Sequence, residues 1–176
     1  YPERQIVFKD SLTIFGDYFI ESQLEKALSK HVWLKSGGFI IIEQTEAMVV
    51  IDVNTGKYVG SRNQENTILK TNLEAAVEIA RQIRVRNLYG MIIVDFIDMK
   101  EKDNRNRVQD VFQRELRKDR IKTNVADMSE FGLIQLTRKK TRESLERTLT
   151  IPCHTCKGNG HLFSPVYLAA KLIREI

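Results

Sequence analysis

The sequence predicts an α/β fold, a mixed sheet with flanking helices, and three observations carry that prediction. Two nearly continuous apolar runs, residues 47–54 and 90–96, read as strands buried on both faces. Between them, residues 67–86 place Ile68, Leu69, Leu73, Ala76, Val77, Ile79, Ala80 and Ile83 at helical spacing, flanked by Lys70, Glu74, Glu78, Arg81 and Arg84. Strand, long crossover helix and strand make a βαβ unit with parallel strands. Upstream, Ser36-Gly37-Gly38 is a turn signal between the extended runs 32–34 and 39–43, which predicts a hairpin at the start of the sheet.

The other elements follow in order. Phe15, Phe19, Ile20, Leu24, Ala27 and Leu28 predict a helix over residues 15–30. Residues 55–66, polar and carrying two glycines, read as a surface loop. Val108, Val111, Phe112 and Leu116 draw one apolar stripe on a charged helix over 104–118, and residues 121–125 and 133–137 alternate as strands. Residues 151–161 form a glycine-rich, cysteine-containing link headed by Pro152, and residues 166–176 read as a last amphipathic helix. The sequence holds no internal repeat and no low-complexity tract.

Composition narrows the class. The chain has 176 residues, room for one ordinary domain with small appendages. With 42% hydrophobic and 29% charged residues it has the make-up of a soluble globular protein, and no apolar run approaches the roughly 20 residues needed to span a bilayer. Tyr1-Pro2-Glu3-Arg4-Gln5 carries neither an initiator Met nor a signal-peptide pattern, so the start reads as internal to a longer protein. A net charge of +5 suits an anionic partner such as a phosphate backbone. The two cysteines, at 153 and 156, are a poor framework for a secreted disulfide fold, and a reducing, cytoplasmic setting is expected.

Chemistry concentrates in two places. Asp52 and Asp95 lie at the carboxyl ends of the two buried runs, where ligands gather in open α/β sheets. Two carboxylates presented there suit a hard divalent cation, magnesium being the natural candidate, which acidifies water and neutralises charge on a phosphate. Asn54, two residues after Asp52, points to the same side of an extended chain and can hold the phosphate or the attacking water. The plainer alternative is that each Asp caps a strand end or turn. Asp98 is a third acid or a cap for the helix that follows.

The second place is Cys153-His154-Thr155-Cys156-Lys157-Gly158-Asn159-Gly160-His161. Two thiolates in a Cys-x-x-Cys turn grip one edge of a tetrahedral zinc site; the remaining ligands come from a second copy of the chain or from His154 or His161. Without metal, they are a pair of free or redox-active thiols. Two basic stretches, residues 81–86 and Arg138-Lys139-Lys140-Thr141-Arg142, either track a phosphate backbone or are solvated faces. Tyr58, Phe96 and Phe131 are candidates to stack on bases or to fill core, and His31 reads as a surface or satisfied core residue.

Ser36-Gly37-Gly38, Thr45-Glu46-Ala47, Asp52-Val53-Asn54-Thr55-Gly56, Thr71-Asn72-Leu73-Glu74-Ala75, Ile83-Arg84-Val85-Arg86-Asn87-Leu88 and Asp95-Phe96-Ile97-Asp98-Met99 together resemble the ribonuclease E/G family. Arg138-Lys139-Lys140-Thr141-Arg142-Glu143-Ser144 and the Cys-x-x-Cys-x-Gly-x-Gly link look like its ribonuclease G branch, although His154 stands where that link commonly has proline. The resemblance runs nearly end to end.

It implies a deoxyribonuclease I-like subdomain over residues 32–149, preceded by the end of a ribonuclease H-like subdomain (1–31). A zinc link (150–163) and the start of a small dimerisation domain (164–176) follow. It implies catalytic magnesium on Asp52 and Asp95, Asn54 positioning the scissile phosphate, and zinc on Cys153 and Cys156 shared between protomers of a homodimer or higher oligomer. The implied reaction is hydrolysis of single-stranded A/U-rich RNA to 5′-phosphate and 3′-hydroxyl ends, in RNA processing and decay, with Arg138, Lys139, Lys140 and Arg142 as RNA contacts. In the family, the oligonucleotide-binding barrel and the 5′-monophosphate pocket lie upstream of the part corresponding to Tyr1. The competing reading is a zinc-linked dimerisation or RNA-binding module without turnover.

Overall fold

A computed structural model describes residues 13–56 and 64–175. The chain divides into two compact units, Tyr1–Glu146 and Arg147–Ile176.

The larger unit is built on a hairpin and a βαβ unit that share one sheet. β1 (His31–Trp33) pairs antiparallel with β2 (Phe39–Gln44), and β2 pairs antiparallel with β3 (Met48–Asn54). From β3 the chain reaches α3 (Gln64–Val85) and then β4 (Gly90–Asp95), which lies parallel to β3 as the sequence predicts. α4 (Lys102–Leu116) follows, and β5 (Thr123–Val125) and β6 (Leu133–Arg138) close the far side, both antiparallel to their neighbours. The sheet is mixed and six-stranded, ordered β1-β2-β3-β4-β6-β5.

Alternation along the strands sorts the sheet into two unlike faces. Ile40, Ile42, Val49, Ile51, Val53, Ile92, Val94, Ile134 and Leu136 are buried in one core with Ala75, Ala76, Ile79, Ala80 and Ile83 of α3 and Val108, Phe112 and Leu116 of α4. The opposite face is only half-covered: Met48, Val50, Asp52 and Ile93 are half-buried, and Met91, Asp95 and Leu133 are exposed. The expectation that residues 47–54 and 90–96 are strands buried on both faces is therefore corrected. An unbroken apolar run cannot say which of its two alternating sets meets a second layer.

Other boundaries move for local reasons. The helix expected over 15–30 is two pieces, α1 (Ile14–Asp17) and α2 (Ile20–Leu28), broken where Phe19 takes a left-handed φ of 54°. Phe15 and Phe19 are exposed rather than packed. α3 starts at Gln64, three residues early, because apolar spacing cannot register a polar first turn. Part of the loop expected over 55–66, residues 57–63, lies outside the described residues, as does Tyr58.

α5 (Leu145–Leu149) spans the division between the units and has no apolar stripe to announce it. In the smaller unit, the cysteine turn precedes α6 (Pro165–Glu175), which leaves Val166, Leu172 and Ile173 exposed. No described helix is long and apolar enough to cross a membrane.

Candidate active site at the carboxyl ends of two parallel strands

Parallel pairing puts Asp52 and Asp95 in direct register, one strand spacing of about 4.8 Å apart, on the open face of the sheet. Asp52 is half-buried and Asp95 is exposed. The amide Nδ2 of Asn54 donates to Asp52 Oδ2 at 2.8 Å, fixing that carboxylate and leaving the Asn54 carbonyl oxygen for another partner. Burial, then the charges of Asp52 and Asp98, push the Asp95 carboxyl above its ordinary range. Such repulsion is what a cation relieves.

Asp98 does not cap the next helix. α4 begins at Lys102 with Glu101 as its cap residue, so Asp98 stays on the connecting loop, where its charge is felt at Asp95.

Three devices hold the loops around the pair. Buried Asn72 of α3 accepts from the Ile97 N–H at 3.1 Å and donates to the Ile97 carbonyl at 2.8 Å, two residues past Asp95. Arg105 of α4 donates to the Met99 carbonyl at 2.6 Å, and Asn104 bonds Glu65 and Glu101 at 3.1 and 3.2 Å. Two glycines complete the frame: Gly56 (φ 69°) would bring an added Cβ to 2.3 Å from the Gly37 carbonyl oxygen, and Gly132 (φ 76°) to 2.7 Å from that of Phe96. Sequence reasoning missed Asn72 as a positioning residue. Its signal was a polar residue set between buried Leu69, Ala75 and Ala76.

The basic residues part company. Arg138 is 4% exposed: it bonds Asp119 at 2.8 Å, the Asn87 side chain at 2.9 Å and the Leu88 carbonyl at 2.8 Å. Expected as an RNA contact, Arg138 lies instead among protein partners on the helix-covered face, in register with Gly90. Lys139, Lys140 and Arg142 are exposed, with Lys140 paired to Glu143. In the first basic stretch Arg81 pairs with Glu78, Arg84 donates to the Glu115 carbonyl and Arg86 is buried against Gln82 and Ser29. Arg81 braces α3 within itself, and Arg84 and Arg86 tie it to its neighbours.

Phe96 is core, edge-on to Phe112, whereas Phe131 is exposed. His31 is exposed on the same cross-strand row as Asp52, through Ile41.

In the smaller unit, Cys153 is exposed and Cys156 half-buried, both free thiols. The backbone N–H groups of Cys156 and Thr155 draw the Cys153 thiol below its ordinary range. The turn is closed by the Lys157 N–H on the Cys153 carbonyl at 2.7 Å. Among the described residues no three His, Cys, Asp or Glu side chains gather around one point.

Residues 2–141 match the profile of the Ribonuclease E/G family. The chain is 48% identical over 163 residues to Ribonuclease G of Salmonella typhimurium, covering 93% of this chain and 33% of that protein. It is 47% identical over 174 residues to Ribonuclease G of Haemophilus influenzae, covering 99% of this chain and 35% of the relative. With Ribonuclease E of Synechocystis it shares 44% identity over 154 residues, 88% of this chain and 23% of the relative. The chain thus spans about a third of the length of these ribonuclease G relatives.

Proposed function

This chain belongs to the ribonuclease E/G family, and we propose that it carries the hydrolytic centre of an endoribonuclease that cuts single-stranded, A/U-rich RNA in RNA processing and decay. The observation that carries this reading is the register of Asp52 with Asp95, completed by the hydrogen bond from Asn54.

Two carboxylates one strand apart, with Asp95 already strained by its neighbours' charge, fit magnesium, which takes one or two carboxylates and keeps several waters. Bound there, magnesium would polarise the phosphoryl oxygen and acidify water for in-line attack. Asp52 and Asp95 hold the charge balance of the site. Asn54 orients Asp52 through Nδ2 and offers its carbonyl oxygen to the attacking water. Products with 5′-phosphate and 3′-hydroxyl ends follow from cleavage on the 3′-oxygen side. Lys139, Lys140 and Arg142 supply backbone contacts at the other end of β6.

The same reading assigns the hairpin, βαβ unit and antiparallel end of the sheet to a deoxyribonuclease I-like subdomain over 32–149, with 1–31 closing a ribonuclease H-like subdomain. Residues 150–163 then form a zinc link and 164–176 open a dimerisation domain. Two free thiols in one turn, Cys153 drawn below its ordinary range, fit half of a tetrahedral zinc site, and a second copy supplies the other half in a homodimer or higher oligomer. Cytoplasmic residence fits free thiols.

The test is cleavage of a 5′-monophosphorylated, A/U-rich single-stranded RNA, with and without magnesium, by the parent and the Asp52→Asn/Asp95→Asn double variant. Magnesium-dependent cleavage lost in the variant is expected. Equal cleavage by both would remove the carboxylates from the mechanism, and RNA binding without turnover in either would favour the non-catalytic module.

A further inference from the structure

Beside the carboxylates, the open face of the sheet carries a row of rings. Trp33 of β1 is in register with Phe39 of β2, and Phe39 with Asn54 of β3. The Trp33 and Phe39 rings lie 5.4 Å apart at 58°, and His31 adds a third ring 5.9 Å from Phe39. The row therefore runs from the sheet edge straight to the residue that bonds Asp52, with Trp33 about 10 Å from Asn54 across two strand spacings.

Cross-strand aromatic pairs ordinarily stabilise a sheet by covering each other. Here the rings meet at a tilt and Trp33 is still 72% exposed. An indole placed so, on an edge strand two strand spacings from Asn54, exposes π-surface for which packing within the described residues has no use.

We propose that Trp33, backed by Phe39, is a stacking platform for an unpaired base of the RNA strand whose phosphate lies at Asp52 and Asp95. The inference rests on the nuclease reading and deepens it, by naming the feature of the substrate that is recognised. Bases in a duplex bury their faces on one another, whereas a single strand can turn one out onto an aromatic ring. Stacking tolerates any base. The platform thus selects strandedness and leaves base preference to other contacts.

Trp33 is the chain's single tryptophan, so intrinsic fluorescence reads this position alone. The chain is titrated, in chelator to prevent cleavage, with a short uridine-rich oligoribonucleotide and with an abasic oligonucleotide of equal length and charge. Binding is followed separately by anisotropy of end-labelled strands. Expected are quenching that saturates with the oligoribonucleotide, unchanged emission with the abasic strand, and affinity for the latter weaker by roughly 5- to 150-fold. Trp33→Ala should lose a similar factor while Trp33→Phe retains most of the affinity, each checked for folding by circular dichroism.

Equal affinity for the abasic strand, unchanged emission at RNA saturation, or no RNA binding at all would overturn the proposal. So would an emission change that tracks protein concentration alone, which would give the rings to a second copy of the chain. Asp95→Asn separates the two readings: it should keep the quenching and lose cleavage, and cleavage surviving in it would sink the nuclease assignment without touching the fluorescence result.

Discussion

The side-chain amide of Asn72 closes two hydrogen bonds on the backbone of Ile97, in the manner of a neighbouring strand, just past the end of β4. α3 thereby holds the loop from which the charge of Asp98 is felt at Asp95. Asn72→Leu keeps the volume and removes both partners, so a loss of about 2–3 kcal/mol is expected from urea unfolding. Asn72→Asp keeps the acceptor for the Ile97 N–H but buries a carboxylate facing the Ile97 carbonyl, so at pH 7 it should cost more than Asn72→Leu, with the excess shrinking as pH falls. An unchanged stability of Asn72→Leu would mean that packing, not the paired hydrogen bonds, explains the buried amide.

Asp95 predicts an opposition between stability and activity. Its folded pKa is raised, by burial and then by Asp52 and Asp98, so its contribution to stability is fully present below the unfolded value and is lost as pH rises through the folded one. Asp95→Asn should therefore melt higher than the parent at pH 7 without divalent cation, with the gap closing near pH 3 and widening at low salt. Its cleavage rate should fall by about 100-fold or more. A lower melting temperature at pH 7 would remove the repulsion from the account of the site.

Arg138 and Arg142, four residues apart, should behave as different kinds of residue. Arg138→Ala strands the Asp119 carboxylate in a buried position, and a loss of about 3–5 kcal/mol is expected from thermal or urea unfolding. Burial raises the Asp119 pKa, but the bonds from Arg138 and the Ile121 N–H and the nearby charges bring it below its ordinary range. That stability is present above the unfolded pKa and lost as pH falls through the folded one. Arg142→Ala should leave unfolding unchanged, weaken RNA binding and reduce the slope of log affinity against log salt by about 1.

Cys153→Ser should leave the larger unit's melting transition in place. It should lower zinc content and weaken self-association, as read by sedimentation with and without added zinc. Identical sedimentation of parent and variant in zinc would rule out a metal shared between copies.

What the sequence disclosed and what it hid divide on physical lines. The βαβ unit was legible because α3 repeats its apolar positions at helical spacing and β3 and β4 are runs too apolar for loops. The acids were legible because each ends such a run. The burial of Arg138 was hidden because a basic run looks uniform in sequence, whereas Arg138 is turned inward and Lys139 outward. Asn72 went unread because one polar residue on an apolar stripe carries no mark of its partner 25 positions away. The row of rings was hidden too: Trp33, Phe39 and Asn54 meet only once strand register is known.

That register has a consequence for quality control within the molecule. Were β3 to slip one residue against β4, Ile51 or Val53 would face Asp95, and the Asp52 carboxylate would turn toward the helix-covered core. The same slip would expose Val49, Ile51 and Val53 to water. A misaligned sheet therefore cannot be well packed and chemically competent at once. Damage to the packing and loss of the acid pair become one event, so any copy that survives with a tight core also arrives with its carboxylates side by side.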